Sequence, residues 1–453
     1  MTTDMLRGTW SDELDGTVTR PGDVGWDDAR RPWSAAVDQQ PCAVVHATSV
    51  ADVRRTVRFA AANGLSVAAQ PRGHGATRAL DGAVLLRTGG LDELTVDAGA
   101  RTARIGAGVP WGRVMAELDA LGLVGLAGSN PGVTAVPYLL GGGLSWFGRA
   151  HGVAAVSLRA VDLVDAHGDL RHVDADSDPD LLWALRGGGG DFGIVTAAEI
   201  DLFPAAELYG GRLAFADADA GAVLRAFAGL TRQAPDRLTA WFSRMHFPPA
   251  PHLPDELRGH SFCFVDVVHL GAAEEAEALL GLVRSAGTVL RETVRHLTSG
   301  QVGTVTEEPS EGMPSIGTTC ALSGLDAETA EALLARTGRG SGVALLSVRH
   351  LGGALTSAQP PLGAGTRVDA PYAAIAMGMA LDPAQAARTR QALSDLQAGL
   401  APWAVPTGVL TFLPEGAPLS AIVDAATVTR LQEIKRAVDP AGVFRSNHPV
   451  LDG

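Results

Sequence analysis

The stretch QPRGHGATR at 70–78 holds the residues best suited to chemistry. It follows an apolar run that reads as a strand, so the loop offers backbone N–H groups that can form an anion nest. Arg72 and Arg78 add positive charge. His74 stands between Gly73 and Gly75, with no side chain crowding it, so a bulky group can approach its imidazole closely. The same residues also suit a plain surface turn with an incidental histidine. A second cluster is LLGGGLSWFGRAHG at 139–152. Three consecutive glycines inside apolar sequence lower stability by a few kcal/mol through chain entropy. A flat ligand seated against them would offset that; a sharp bend in the core is the other reading. A third cluster, RGGGGDFG at 186–193, has the composition of a dinucleotide fingerprint but the wrong element order. Such a fingerprint runs strand, glycines, helix, and here a helix precedes and a strand follows. A tight helix-to-strand connection and a ligand-lining loop both fit.

The elements that must position these loops can be read from pattern. CAVVH at 42–46 predicts a buried strand, 48–63 a helix capped by Thr48 or Ser49 and stopped at Asn63-Gly64, and 65–70 the next strand. Strands at 83–88 and 102–109, a helix at 111–122 and a long irregular stretch at 125–152 follow. A hairpin spans 156–175 with its turn at His167-Gly168, then a helix at 179–185 and a strand at 194–203. From about Leu208 strands such as RLTAWFSRMHF and SFCFVDVVHL alternate with helices such as AAEEAEALLGLVRSA. This predicts a second α+β domain, an antiparallel sheet with helices on one face. An amphipathic helix from about Thr427 and an extended tail end the chain.

The bulk numbers exclude several functions. The chain has 453 residues, enough for two or three domains, and a formal charge of −14. That balance argues against nucleic acid and anionic membrane surfaces as partners. Lys435 is the single lysine, and no Gly-Lys pair exists for a phosphate-binding Walker loop. Cys42, Cys263 and Cys320 form no C-x-x-C pair, so no metal cluster is expected, and three separated thiols suit a reducing cytoplasm. The first residues lack a secretory pattern, and no 18-residue apolar run predicts a membrane span.

Taken in order, QPRGHG, GSNPGV, YLLGGGLSWFGRAHGV, DLLWALRGGGGDFGIVTAAEIDLFP, RHLGGAL, DAPYAAIAMG and KRAVDPAGVFRSNHPV resemble the berberine bridge enzyme-like flavoproteins over nearly the whole chain. These belong to the vanillyl-alcohol oxidase/p-cresol methylhydroxylase superfamily. The resemblance implies an α+β fold. Its two-part FAD-binding domain of the p-cresol methylhydroxylase type would occupy 1–206 and 415–453, and a substrate-binding domain 207–414. It implies FAD between them, with the diphosphate on Pro71, Arg72, Gly73, Gly75 and Ala76 and the 8α-methyl carbon bonded to His74. Further flavin contacts are implied at Asn130, Pro131, Val133, Thr134, Gly141, Gly142, Gly143, Leu144, Gly193, Ile194, Val195 and Asn447. Relatives with a second flavin link carry a cysteine eleven residues before the glycine triplet. Asn130 stands there, so one link is expected, not two. Val133 resembles the gatekeeper of members that react with O₂, which favours an oxidase.

The family's catalytic tyrosines are absent: Leu144 follows the triplet, and no tyrosine lies beyond Tyr372. A base titrating near neutrality should instead come from a second-domain strand, which nominates His350 and His246. Tyr138, just before the triplet, is the tyrosine placed to approach a flavin, and Arg349 could bind an acidic or carbonyl group of the substrate. For each histidine a structural role is the competing reading. The expected reaction is oxidation of a small alcohol, amine or ring carbon by a monomer or homodimer. A cyclisation or elimination without net oxidation is the alternative, and a flavin-storage protein a third.

Overall fold

The computed structural model describes residues 9–251, 253–357 and 362–451. Its first sheet runs, in spatial order, Thr17–Thr19, Ala43–His46, Val84–Arg87, Val67–Ala69. The last three are mutually parallel, as a strand–helix–strand crossover requires. The crossover helix is Val50–Ala62. Ser49 caps it in a reciprocal capping box with Asp52. It buries Val53, Val57 and Ala60, the stripe its sequence predicts. A second, antiparallel sheet has five strands in the order Leu94–Asp97, Thr102–Gly106, Ile194–Asp201, Leu158–Val164, Leu170–Val173. The last two form the predicted hairpin, and Gly168 takes the left-handed conformation its turn needs (φ 75°).

The stretch at 125–152 is less irregular than its glycines and prolines predict. It contains two short helices, Ala135–Leu140 and Gly148–His151, joined by the glycine triplet. Both are too short to show a period in sequence. The predicted helix at 111–122 ends as an α-helix at Glu117 and finishes as a tighter turn, Asp119–Leu121, before left-handed Gly122.

The second half is dominated by a nine-stranded antiparallel sheet. Its order is Val289–Glu292, Leu208–Ala216, Ser261–Leu270, Leu238–His246, Leu345–His350, Tyr372–Met379, Ser315–Leu322, Ala404–Val405, with Arg295–His296 also pairing Leu208–Ala216. One face packs Phe215, Phe242, Val265, Val348 and Tyr372 against helices Ala220–Thr231, Ala273–Arg284, Ala327–Arg336 and Pro383–Leu400. Strand Ser315–Leu322 and helix Pro383–Leu400 are additions to the sequence reading. The first has glycine and threonines on its path, and the second is rich in alanine and polar residues, so neither has strong periodicity. The opposite face meets the first half of the chain: Trp241 and Val268 join its core, and Leu144 packs with Ala321, Leu351 and Ala373. Among the described residues no helix is long and apolar enough to cross a membrane.

Candidate active site

The loop at 70–76 leaves strand Val67–Ala69 and is pinned from outside. Trp33 N–H donates to Arg72 O (2.8 Å), and Ser34 N–H to Gly73 O (3.1 Å). Gly73 sits at φ 82°, and a Cβ there would lie 2.8 Å from both Gln70 Oε1 and Pro32 Cβ, so only glycine fits. The His74 ring stacks on Trp33 (centroids 4.3 Å apart, 18° between planes). Its Nε2 is buried without a hydrogen-bond partner. Burial, helped by the Arg72 charge, pulls its pKa down to about 4, so the imidazole is neutral. Among the described residues the N–H groups of Arg72, Gly73, His74 and Gly75 donate to no protein acceptor. Asn447, on the C-terminal tail, reaches the same loop: its carbonyl accepts from Thr77 Oγ1 (2.9 Å), and its Oδ1 is buried and unpartnered.

The segment at 130–134 is held by the helix that begins at Trp111. Trp111 N–H donates to Val133 O and Gly112 N–H to Pro131 O. Asn130 Oδ1 accepts from Gly132 N–H (2.8 Å), and Thr134 Oγ1 is buried with no partner. Next come the glycines. Gly142 and Gly143 have φ of 91° and 70°, and a Cβ on Gly143 would lie 2.4 Å from the Tyr138 ring. Thr411 N–H and Oγ1 both donate to Gly141 O, which brings the following residue, Phe412, to the cluster. Gly189 N–H donates to Leu140 O, tying in the third glycine cluster. Gly193, Ile194 and Val195 open a core strand, and the side chains of Ile194 and Val195 are buried in the hydrophobic core. Only their backbone remains available to a ligand.

The second sheet supplies the facing wall. Cross-strand pairing puts Arg212, Asp266, Trp241, Arg349, Ala373 and Ala321 in one row on the face toward the first half. Arg212 and Asp266 form a buried two-point ion pair (2.6 and 3.0 Å). Trp241 stacks on Trp146 at 3.5 Å, and the Arg349 guanidinium lies 3.9 Å over the Trp241 ring and 5.0 Å from that of Phe412. Tyr138 is buried, its hydroxyl has no partner, and the Arg349 charge acts on it. Burial drives the Tyr138 pKa well above its usual value all the same.

The two nominated histidines do not join this wall. A strand turns successive side chains to opposite faces, so His350, next to Arg349, faces the helix layer beside Tyr372 (ring centroids 5.8 Å). Burial, with the Arg149 charge, pulls its pKa down to about 3. His246 faces the same layer, with Nδ1 2.8 Å from Ser261 Oγ and Nε2 2.7 Å from the Thr337 carbonyl. Both therefore point away from the wall that holds Arg349. Trp33, Trp146, Trp241 and Phe412 are site residues the sequence reading passed over. Of these, Trp241 alone carried a signal, as the partner of Arg349 across two inward-facing alternations.

Two cavities of about 710 Å³ each flank Arg72. The first lies between Asn130 and Gly132 on one side and Thr293, Arg295 and Glu308 on the other. The second runs past Trp33, Thr48 and Gly90 toward Gly312. Neither lining includes His74 or Tyr138. The free amides, the glycine cradle and the unpartnered polar atoms of His74, Thr134 and Asn447 fit a ligand with a diphosphate and a flat ring, as FAD has.

Comparison with known proteins agrees. Residues 41–174 match an FAD binding domain family. The (R)-6-hydroxynicotine oxidase of Paenarthrobacter nicotinovorans is 29% identical over 286 residues, 62% of this chain and 60% of that protein. The FAD-dependent monooxygenase FUP4 of Fusarium proliferatum is 35% identical over 214 residues, 46% of this chain and 41% of that protein. These matches therefore span less than two thirds of either curated relative. Among solved structures, 6-hydroxy-D-nicotine oxidase from Arthrobacter nicotinovorans superimposes with a TM-score of 0.81 at 24% identity, covering 95% of this chain and 97% of its own. Berberine bridge enzyme from Eschscholzia californica does so at 0.82 and 16% identity, covering 99% of both chains. At such identities the likeness shows a shared fold. Residues 41–174 thus match an FAD binding domain, and the whole chain shares the fold of the 6-hydroxy-D-nicotine oxidase and berberine bridge enzyme structures.

Proposed function

We propose that this enzyme is an oxidase that removes a hydride from a small alcohol, amine or ring carbon and passes the electrons to O₂, its FAD held covalently by His74. The observation that carries the reading is the neutral, buried imidazole with an unpartnered nitrogen, fixed against Trp33 in a loop of free amides. FAD, when bound, supplies the two-electron chemistry that no side chain here offers. The chain's own residues do the rest. A neutral imidazole keeps the lone pair that bond formation to the 8α-methyl carbon needs. The 72–75 amides and the Arg72 guanidinium suit a diphosphate. Asn130 offers no thiolate, so one link is expected and not two. Val133 resembles the gatekeeper of O₂-reactive relatives, and the oxidase names of two similar proteins support the same acceptor. Tyr138 is the proton-holding group closest to hand on the substrate face. Its raised pKa suits a hydrogen-bond donor better than a free base, and a neutral amine would need no stronger one. The FAD-binding part would comprise 1–206 and 415–453 and the substrate part 207–414. Three unpaired cysteines suit a reducing cytoplasm.

The test is optical. The purified protein is expected to be yellow, to keep its flavin through acid precipitation, and to release it as free FAD only in the His74→Ala variant. Free FAD from the wild type removes the covalent claim. A colourless, folded protein that takes up no added FAD removes the whole reading. Hydrogen peroxide formed with turnover checks the acceptor.

A further inference from the structure

We propose that Arg349, with the Tyr138 hydroxyl within its electrostatic reach, anchors a carboxylate on the substrate, so that this enzyme selects small aromatic acids over their neutral counterparts. The inference rests on the reading that the Tyr138–Arg349 wall faces the substrate. It starts from charge. Three ionic side chains stand in the row across the sheet: Arg212, Asp266 and Arg349. Arg212 and Asp266 neutralise each other through two short hydrogen bonds, and Glu307 is taken by Arg291 (2.6 Å). Arg349 is different: among the described residues it forms no ion pair and donates no hydrogen bond, and its Nε is buried and unpartnered. Only 9% of the residue is exposed. Of the acids whose charge acts on it, Glu308 is solvent-exposed and Asp266 is held by Arg212, and neither makes an ion pair with it. A buried guanidinium cannot escape by losing its proton in the physiological range, and an uncompensated buried charge is among the costliest features a fold can carry.

Chemistry then narrows the partner. Arginine is a pure donor with a planar fork that matches a carboxylate. The Tyr138 hydroxyl, also buried and unpartnered, is held protonated by its surroundings and so is a second donor. Two orphaned donors within electrostatic range of one another call for an acceptor with several lone pairs and a negative charge. The guanidinium carbon is already held 3.9 Å over the Trp241 ring and 5.0 Å from that of Phe412, which restricts its fork. Trp241, Phe412, Leu144 and Ala373 give the neighbourhood an apolar, flat character, which suits an aromatic ring carrying the acid.

The probe is benzoate, with benzamide as its neutral counterpart of nearly equal shape. Each is titrated calorimetrically into the protein as purified, and the visible flavin spectrum is followed in parallel. Benzoate is expected to bind at least tenfold more tightly than benzamide. Arg349→Gln should erase that preference, Arg349→Lys should keep part of it, and Tyr138→Phe should weaken benzoate severalfold. Thermal unfolding of each variant verifies that it is folded, and Arg349→Lys carries the test if Arg349→Gln is not. Equal binding of the two probes overturns the proposal, as does benzoate binding that survives Arg349→Gln. So does a flavin spectrum that shifts on Arg349→Gln without any probe, since Arg349 would then serve the cofactor. An Arg349-dependent benzoate preference in a flavin-free protein would uphold the anchor while removing the FAD reading; a yellow protein indifferent to charge would do the reverse.

Discussion

Lys435→Met tests how the C-terminal tail is held against the loop at 70–76. Lys435 is the only lysine in the chain and is almost wholly buried on helix Ala425–Val438. All three of its ammonium protons are used: Asp191 O at 2.6 Å, Asp439 Oδ2 at 2.7 Å and Phe444 O at 2.9 Å. Asp439 in turn accepts from the N–H groups of Val443 and Phe444, and Asp191 Oδ2 from that of Val450. The tail then pairs with strand Val67–Ala69, since Val67 N–H donates to Val443 O and Arg445 N–H to Val67 O. Two residues beyond Arg445 is Asn447. Methionine keeps the length and apolar stem of lysine but leaves the Asp439 carboxylate buried without its cation. Breaking a buried pair in this way costs about 3–5 kcal/mol. With an unfolding entropy of roughly 2 cal/mol/K per residue, a chain of this length loses about 1 °C in Tm per kcal/mol if it unfolds as one unit. A drop of about 3–5 °C, followed by far-UV circular dichroism at equal flavin content, is therefore expected. Adding Asp439→Asn should recover part of it, because the stranded charge is gone. A Lys435→Met protein that melts within 1 °C of wild type would refute the claim that this cation organises the tail.

Three further outcomes follow from the same geometry. Between pH 6.5 and 4 the unfolded chain protonates the residue-350 imidazole while the folded chain does not, because the folded pKa is depressed to about 3; stability should therefore fall by about 1.4 kcal/mol per pH unit from this group as pH drops through that window. His350→Asn should flatten that part of a urea-denaturation pH series, and an unchanged slope would contradict the assigned burial. Tyr138→Phe removes a hydroxyl that has no partner, so the unfolding free energy should stay within about 1 kcal/mol of wild type, while anaerobic flavin reduction by substrate should slow roughly a hundredfold if the hydroxyl handles a proton. Gly143→Ala drives a methyl into the Tyr138 ring at a left-handed backbone position; a loss of about 1–3 kcal/mol is expected in chemical denaturation, with impaired substrate reduction.

Much of the first half of the chain was legible because its signals are local. Ser49 with Asp52, the apolar stripe at Val53, Val57 and Ala60, and Gly168 at a hairpin turn each act within a few residues. The three glycine clusters also announced close backbone approach, and Gly73 and Gly143 meet the atoms that demand it. The placement of His246 and His350 failed for a physical reason. A one-residue step along a strand reverses the face, and which face meets helices is settled by packing far away in sequence. The same alternation that hides His350 turns Arg349 toward Tyr138.

Residue types and spacing alone thus determined a glycine-framed loop with a free imidazole, the absence of a cysteine at position 130 and the alternation of a second sheet. Only tertiary structure decided which side of that sheet faces the glycine cluster, and that one arginine of the row is ion-paired while the other, among the described residues, makes no ion pair. Pairing register is a long-range property: Trp241, Arg349 and Ala373 become neighbours through hydrogen bonds between strands many residues apart, and no local propensity encodes that.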